Sequence, residues 1–208
     1  MIRIPSVEIH PYAHALARTA HIKDLETFEH GNRMKEACRL FGDWLNLGGE
    51  ETEKLAIAAL LHDVGKSTLP DEILFKPGRL DAEEYRRMTE HTTSGHDMLR
   101  DLGHPWLDEA AAVALSHHER FDGSGYPQGT AGAAIPLHAR VISVADVYDA
   151  LRADRPYKQG LTHDAAVKLI LRGDDRTVPA HFDPMVLAAF ERGSEQVRGI
   201  YDTVGACA

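Results

Sequence analysis

A histidine and an aspartate stand next to each other at His62 and Asp63, directly after the apolar segment LAIAALL. Burying both side chains at the end of an apolar helix is costly unless a partner satisfies them. A divalent metal is such a partner, because imidazole and carboxylate ligands together suit iron, manganese, zinc and similar ions. A histidine–aspartate pair is common by chance, so this pair alone indicates a metal site only weakly.

Three further places combine a ligand-type side chain with apolar neighbours: His91, the adjacent pair His117 and His118, and Asp146 within VISVADVYDAL. Each could separately be a capping or hydrogen-bonded polar group. Successive helical residues project about 100° apart, so His117 and His118 can reach different metals. Because an unpaired buried carboxylate is costly, four such places together favour a shared set of metal ligands over four unrelated features.

Another pair of ligand-type residues, Glu26 and His30, lies near the N-terminus in the segment ETFEH. Their spacing of four residues puts both side chains on one face of a helix, which is the arrangement that metal sites in helical bundles use. Glutamate–histidine pairs are also common on solvated helix surfaces. Taken without their context, the two residues favour a surface pair.

The spacing of apolar residues predicts the helices that must carry these side chains. Residues 1–12 contain two prolines, which limit any helix there, and are predicted to form a poorly defined arm. Apolar residues recur at helical intervals over about 13–47, which is interpreted as one helix. A second helix is expected from about Glu51 to Asp63, carrying the first candidate ligands at its end.

Capping signals mark the next helices. Asp81 and Glu84 resemble a capping box for a helix that is expected to end near His91. Ser94 is interpreted as the start of another short helix. Asp108 is expected to cap the alanine-rich helix that follows.

The remainder of the chain contains one long loop and three predicted helices. Residues 119–136 are rich in glycine, and loops of that length in a compact domain are usually functional. A helix is expected over about 137–153, and Thr162 and Pro184 mark two further helix starts. No good Val- or Ile-rich strand pattern is present. The predicted fold is all-α: a single compact bundle of about seven to nine helices.

Composition excludes several classes of partner. The formal net charge of −9 argues against binding a nucleic-acid backbone, which requires clustered lysine and arginine. Cys38 and Cys207 show no metal-binding spacing and are expected to be free thiols in a reducing compartment. The N-terminal residues lack the pattern of a signal peptide. The longest apolar run, Leu55–Leu61, is too short to cross a bilayer, which needs about 20 residues. We therefore predict a cytoplasmic protein without a membrane partner.

The ordered motifs resemble the HD-GYP domain, a branch of the HD phosphohydrolase superfamily, over about residues 24–192. The matching segments are HDVGK, LPDEILFKPGRL, EHTTSGHDML, HHERFDGSGYPQG, IPLHARVISVADVYDAL, DRPYK and HFDP, and the GYP triplet is Gly125–Tyr126–Pro127. On this resemblance, residues 1–23 form the arm and the start of the first helix. Residues 193–208 form a C-terminal tail.

The resemblance implies a centre of two or three divalent metal ions. It carries the ligand role over to Glu26, His30, His62, Asp63, His91, His117, His118 and Asp146. The interval between His30 and His62 matches the family, which changes the interpretation of the N-terminal pair from a surface feature to ligands of a third metal. Iron is expected first and manganese next, with zinc, nickel or cobalt as alternatives in purified protein.

The resemblance also implies hydrolysis of cyclic di-GMP to pGpG, and onward to GMP as an open alternative. The reaction would proceed by attack of a hydroxide that bridges two metals. Asp63, as the bridging ligand, and Lys66 are the expected catalytic residues. The expected substrate contacts are Lys66, Tyr126, Asp149, Arg155 and Lys158. Arg155 has a structural alternative, an ion pair with Asp149 or Asp154.

Three departures from the family pattern leave every ligand in place. Phe28 replaces the usual glycine between Glu26 and His30, Phe121 replaces a tryptophan, and Ala180 precedes the histidine of the last motif. Two alternatives stay open at this point. One is a hydrolase of another cyclic dinucleotide such as 3′,3′-cGAMP. The other is a non-catalytic module that binds a cyclic dinucleotide or docks a GGDEF-domain protein. A homodimer is a further expectation.

Overall fold

A computed structural model describes the backbone of residues 9–20, 25–154 and 159–202, with side chains from residue 28 in the second range and up to 201 in the third. Within these ranges the chain forms nine α-helices and no strand, which confirms the all-α prediction. The helices are α1 (Ile9–Ala20), α2 (Leu25–Trp44), α3 (Gly49–Leu61), α4 (Asp71–Leu74), α5 (Ala82–Leu99), α6 (Pro105–Ser116), α7 (Leu137–Arg152), α8 (His163–Arg172) and α9 (Pro184–Asp202). Short 3₁₀ turns occupy Val64–Thr68, Gly132–Ala134 and Pro179–His181.

Helix α3 lies at the centre of the bundle. Every residue from Leu55 to Leu61 is buried, as expected for a helix that is surrounded by other helices. It packs against α1, α2, α6 and α7. Because α3 is buried on all sides, its C-terminal end delivers His62 and Asp63 to the interior of the protein rather than to its surface.

The first part of the chain differs from the sequence prediction. Two helices, α1 and α2, replace the single helix expected over 13–47, and residues 21–24 between them lie outside the described residues. The expected arm is wrong from Ile9 onward. Ile9, Ala13 and Ala17 recur every four residues and are buried in the core, so α1 is anchored by an apolar face.

The end of the chain also joins the core. Helix α9 continues from Pro184 to Asp202, and its residue Val197 is buried. The expected C-terminal tail from residue 193 is therefore helical as far as it is described.

Cys38 is buried in α2, and burial raises the pKa of its thiol, while Cys207 lies outside the described residues.

Two helix starts in the middle of the chain correct the sequence prediction. Helix α5 runs unbroken past Ser94, so His91 lies within a helix and not at its end. The capping box of α5 is as predicted. The side chain of Asp81 accepts from the backbone N–H groups of Glu83 and Glu84. Helix α6 begins at Pro105 and not at Asp108. Proline suits this first position because it has no N–H to satisfy.

The other helix starts are as predicted. Thr162 caps α8 by accepting from the N–H of Ala165, α9 begins at Pro184, and α7 covers Leu137–Arg152. None of the described helices combines the length and the hydrophobicity needed to cross a membrane.

Candidate metal centre

Five helices bring the candidate ligands together around one carboxylate. Asp63, which follows α3, is buried, and the Nε2 atom of His62 lies 3.4 Å from its Oδ2. The Nε2 atoms of His91 in α5 and His117 at the end of α6 lie 3.5 and 3.8 Å from Asp63 Oδ1. Helices α2 and α7 contribute His30 and Asp146, whose Nε2 and Oδ1 atoms are 3.4 Å apart.

The ring orientation of each central histidine is set by a contact of its other nitrogen. The Nδ1 atom of His62 lies 2.7 Å from the carbonyl oxygen of Ala59, and that of His91 lies 2.6 Å from the carbonyl of Met88. The Nδ1 atom of His117 lies 3.0 Å from the carbonyl of Ala114. A carbonyl can only accept, so each Nδ1 carries the hydrogen, and a ring in its neutral form presents the lone pair of Nε2.

Those lone pairs face one another. The Nε2 atoms of His91 and His117 are 3.4 Å apart, and those of His30 and His62 are 3.3 Å apart. Two lone pairs at this distance repel unless a cation lies between them. Burial lowers the pKa of both His91 and His117, which disfavours a proton between them. At His62 burial also opposes the charged form, but the neighbouring Asp63 carboxylate raises the pKa. The donor set therefore fits a metal ion, since metal-binding histidines are neutral and are oriented through their second nitrogen.

Asp63 has the properties of a shared ligand. Its Oδ1 atom is buried, and no hydrogen-bond partner is found for it among the described residues, although a buried acceptor normally has one. Burial opposes ionisation of the carboxyl, but Lys66 and His62 outweigh burial and hold its pKa well below the usual range. The Nζ atom of Lys66 lies 2.5 Å from Asp63 Oδ2. An ionised carboxylate with one free oxygen is suited to a cation.

Two groups of ligand atoms share this carboxylate. In each group the atoms lie within 4.8 Å of one another. We call the first the inner group; it consists of Asp63, His91, His117 and His118. We call the second the outer group; it consists of His30, His62 and Asp63. Both fit the chemistry of divalent metals with mixed imidazole and carboxylate ligands.

Two predicted site residues, Glu26 and Asp149, belong to neither ligand group as the structure describes them. Glu26 lies in α2, but its side chain is outside the described residues. Asp149 is buried, and its two oxygens accept from Arg33 and from His30 Nδ1. The substrate contact expected of Asp149 from the sequence stays a prediction.

A cavity of about 340 Å³ opens beside the centre and includes His117, His118 and Asp146 in its wall. The ring of Tyr126 stacks on His118 with 4.8 Å between centroids. Burial raises the pKa of the Tyr126 phenol, so it stays protonated. The remaining predicted substrate residues, Arg155 and Lys158, lie outside the described residues.

The glycine-rich loop that carries Tyr126 is held by backbone contacts. Glu119 is buried, and its two oxygens accept from the N–H groups of Gln128 and Thr130 at 2.7 and 3.1 Å. Asp122 accepts from the backbone and the hydroxyl of Ser124 and so orders the turn between them. These bonds hold the loop against the mouth of the cavity.

Sequence reasoning missed three residues that shape this centre. Arg33 holds Asp149, and its position one turn after His30 was an available signal. Tyr85 lines the cavity, with its ring 6.2 Å from that of Tyr126. Gly65 lies so close to α5 that an added Cβ atom would stand 1.9 Å from the carbonyl oxygen of His91. Only the packing of the helices shows this last contact.

Comparison with known proteins gives a consistent family assignment. The sequence profile of the family described as "HD domain" matches residues 14–186. The chain is 41% identical over 194 residues to the cyclic di-GMP phosphodiesterase response regulator RpfG of Xanthomonas campestris pv. campestris, covering 92% of this chain and 50% of the relative. It is 36% identical over 172 residues to the 3′3′-cGAMP-specific phosphodiesterase 2 of Vibrio cholerae, covering 83% of this chain and 32% of the relative.

A solved structure supports the fold. Bd1817, an HDG"Y"P protein from Bdellovibrio bacteriovorus, is similar with a TM-score of 0.61 at 19% identity, covering 86% of this chain and 53% of that chain. The chain thus spans half or less of the length of the two curated relatives. The resemblance drawn from the ordered motifs is confirmed by these relatives.

Proposed function

The chain belongs to the HD-domain family, and we propose from this premise that it is a metal-dependent phosphodiesterase acting on cyclic di-GMP. The observation that carries the proposal is the pair of ligand groups that share the Asp63 carboxylate beside an open cavity. Paired metal sites are suited to phosphodiesters, which are resistant, negatively charged electrophiles. Hydrolysis would give pGpG, and further cleavage to GMP stays an open alternative.

The residues of the centre have different proposed roles. Asp63 stays ionised and offers one oxygen to each ligand group, while His91, His117 and His62 present their Nε2 lone pairs. When bound, the divalent metals supply Lewis acidity and lower the pKa of the attacking water. Asp146 adds a carboxylate between the outer group and the cavity. We propose the same ligand roles for His30, His118 and Glu26.

Two residues with described side chains would bind the substrate. Lys66 holds its ammonium group beside Asp63, where it is suited to contact a phosphate oxygen as a point charge. Tyr126 covers His118 and contributes a protonated phenol to the cavity wall. Arg155 and Lys158 are proposed as further contacts on the resemblance alone.

A turnover assay tests the substrate. Metal-free protein reconstituted anaerobically with Fe²⁺ or Mn²⁺ should convert cyclic di-GMP to pGpG, and a chelator should abolish the conversion. Chromatography of the nucleotides would show the product and whether GMP follows. Intact cyclic di-GMP after incubation with the fully metal-loaded protein would refute the substrate assignment. Nucleotide binding without product would favour the non-catalytic module and call for a pull-down with a GGDEF-domain protein.

A second substrate has support from three relatives, whose names specify 3′3′-cGAMP. The two ligand groups, as far as the structure describes them, are suited to the phosphodiester and do not distinguish one base from another. A panel of cyclic di-GMP, 3′,3′-cGAMP and cyclic di-AMP at equal concentration would rank the substrates by kcat/KM. A higher value for 3′,3′-cGAMP would replace the primary proposal with this alternative.

The metal is proposed to be iron, with manganese next, because the described ligand groups contain imidazole and carboxylate donors without a thiolate. Elemental analysis of protein purified without chelators tests this order. A cytoplasmic location and a homodimer remain predictions, which fractionation and light scattering would check.

A further inference from the structure

We propose that Asp149 is a positioning residue for His30, and that Arg33 holds Asp149 in place. Together the two side chains would set the affinity of the metal position that His30 serves. The inference rests on the proposed function only in requiring a metal centre; it does not depend on which substrate is cleaved.

Asp149 accepts hydrogen bonds from the side chains of Arg33 and His30. Its Oδ1 accepts from Arg33 Nε at 2.7 Å, and its Oδ2 accepts from Arg33 Nη2 at 3.0 Å. Oδ2 also accepts from His30 Nδ1 at 2.7 Å. This two-pronged arginine–carboxylate pair has the geometry that makes such pairs strong and directional. Arg33 thus fixes the orientation of the carboxylate that His30 contacts.

Burial explains why Arg33 is needed. The side chain of Asp149 is only 4% exposed and that of Arg33 is 15% exposed. A buried carboxylate without a partner is strongly unfavourable. The guanidinium of Arg33 donates to both oxygens of Asp149 and supplies the opposite charge that this buried carboxylate requires. The guanidinium of Arg33 also lies over the ring of Tyr201 in α9, at 5.9 Å from the ring centroid.

The ionised carboxylate determines the tautomer of His30. Since Asp149 can only accept, His30 Nδ1 carries the hydrogen and Nε2 presents its lone pair toward His62 and Asp146. A carboxylate behind a metal-binding imidazole also makes the imidazole a stronger donor. Removing such a partner typically weakens metal binding by about 10- to 100-fold.

His30 differs in this respect from the other oriented histidines. His62, His91 and His117 direct Nδ1 to neutral backbone carbonyls. Loss of the Asp149 charge should therefore affect one metal position and leave the inner group unchanged. This selectivity separates the proposal from a general loss of stability.

The first experiment is a metal titration of Asp149→Asn. Asparagine keeps the shape of the side chain but removes the charge, and it can turn its amide N–H toward His30 and reverse the tautomer. Isothermal titration of metal-free protein with Mn²⁺ should show one class of site weakened by about 10- to 100-fold and another with wild-type affinity. Elemental analysis at low free Mn²⁺ should show a matching fall in metal per chain.

The matched control is the other buried arginine–aspartate pair, Arg140 and Asp183. Its side chains are 14% and 5% exposed, close to the values of the first pair. Asp183 caps α9 by accepting from the N–H of Met185, and it belongs to neither ligand group as described. Asp183→Asn should reduce stability while leaving both metal affinities unchanged. If Asp183→Asn weakens metal binding as much as Asp149→Asn does, the effect is a general one and the proposal is wrong.

A double variant removes the folding ambiguity. Asp149→Asn leaves Arg33 without its anion, so it could fail to fold. Arg33→Met combined with Asp149→Asn removes both buried charges, and replacing a whole buried pair is often tolerated. We expect this folded double variant to show the same selective loss of metal affinity. Wild-type Mn²⁺ affinity at both classes of site would overturn the proposal.

Kinetics separate the proposal from the substrate-contact alternative. If Asp149 contacts the nucleotide, its variant should raise KM for cyclic di-GMP while metal affinities stay at the wild-type level, and that result would also overturn the proposal. If the wild-type protein hydrolyses no cyclic dinucleotide, the proposed function fails, but the Mn²⁺ titrations still decide the role of Asp149.

Discussion

Within the centre, His30 of the outer group is oriented by a different kind of contact from His62, His91 and His117. In the inner group, His91 and His117 are oriented by carbonyls three residues earlier in their own helices. In the outer group, His30 is oriented by the side chain of Asp149, which is 119 residues away in the chain. The first arrangement depends on helix geometry alone. The second depends on the correct packing of α2 against α7, and one substitution can remove it.

The two kinds of contact should respond differently to amino-acid substitutions. A backbone carbonyl cannot be mutated, so the orientation of the inner histidines survives most substitutions nearby. The outer position depends on a buried ion pair between Arg33 and Asp149, whose members are costly to lose one at a time. We expect the two groups to separate in experiments that perturb one kind of contact.

The largest effect should come from Asp63→Asn, which removes the residue that both groups share. Metal centres of this kind contribute several kcal/mol to transition-state stabilisation, so kcat should fall by about 1,000-fold or more. Metal content should fall in both classes of site, as measured by elemental analysis. His91→Gln is the comparison, because it should affect the inner group alone. Retention of one full-affinity site in Asp63→Asn would show that the two groups do not share the carboxylate.

The next effect concerns the packing that positions the inner group. In Gly65→Ala the new Cβ atom would lie 1.9 Å from the carbonyl oxygen of His91 and 2.5 Å from the backbone nitrogen of Gly95. Because backbone atoms must move, we expect the free energy of unfolding to fall by about 3 kcal/mol, at the upper end for overpacking. Urea unfolding followed by circular dichroism measures this change.

Gly49→Ala serves as the control for that substitution. Among the described residues no heavy atom lies within 4 Å of its added Cβ, and it opens helix α3. Alanine in place of glycine there should leave stability within about 1 kcal/mol of wild type. Equal destabilisation by both substitutions would mean that the contact between Gly65 and α5 is not tight.

A smaller effect is expected from pH in the metal-free protein. Burial lowers the pKa of His118 to about 4 and that of His117 well below its usual value. Between pH values of about 6.5 and 4 the unfolded chain therefore binds more protons than the folded one. The free energy of unfolding should fall as the pH decreases through this window.

A variant isolates the contribution of one histidine. His118→Gln removes one of these groups and should reduce the pH dependence by at most about 3 kcal/mol, the value that corresponds to its pKa shift. Thermal or urea unfolding at several pH values, with chelator present, measures the slope. Identical slopes for wild type and variant would contradict a buried, neutral His118.

Local signals in the sequence were sufficient for much of this molecule. The capping box of Asp81 and Glu84, the cap at Thr162 and the start at Pro184 were predicted correctly, because each involves residues within one turn of helix. The prediction failed at Ser94 and Asp108. Helix α5 continues through Ser94 because a helix interior tolerates a serine. Helix α6 begins at Pro105, three residues before Asp108, because proline suits the first position of a helix.

The sequence by itself determined that the chain is all-helical and which residue types could form a centre. Histidines and aspartates at the ends of apolar helices can be recognised from one segment of sequence, because burying such polar side chains without a partner is unfavourable. Only the tertiary structure decided that Asp63 lies between two ligand groups, that Asp149 faces His30 and Arg33, and that Gly65 touches α5. These contacts join helices far apart in the chain, and helical periodicity reports only which face of each helix is buried, not which residue of another helix meets it.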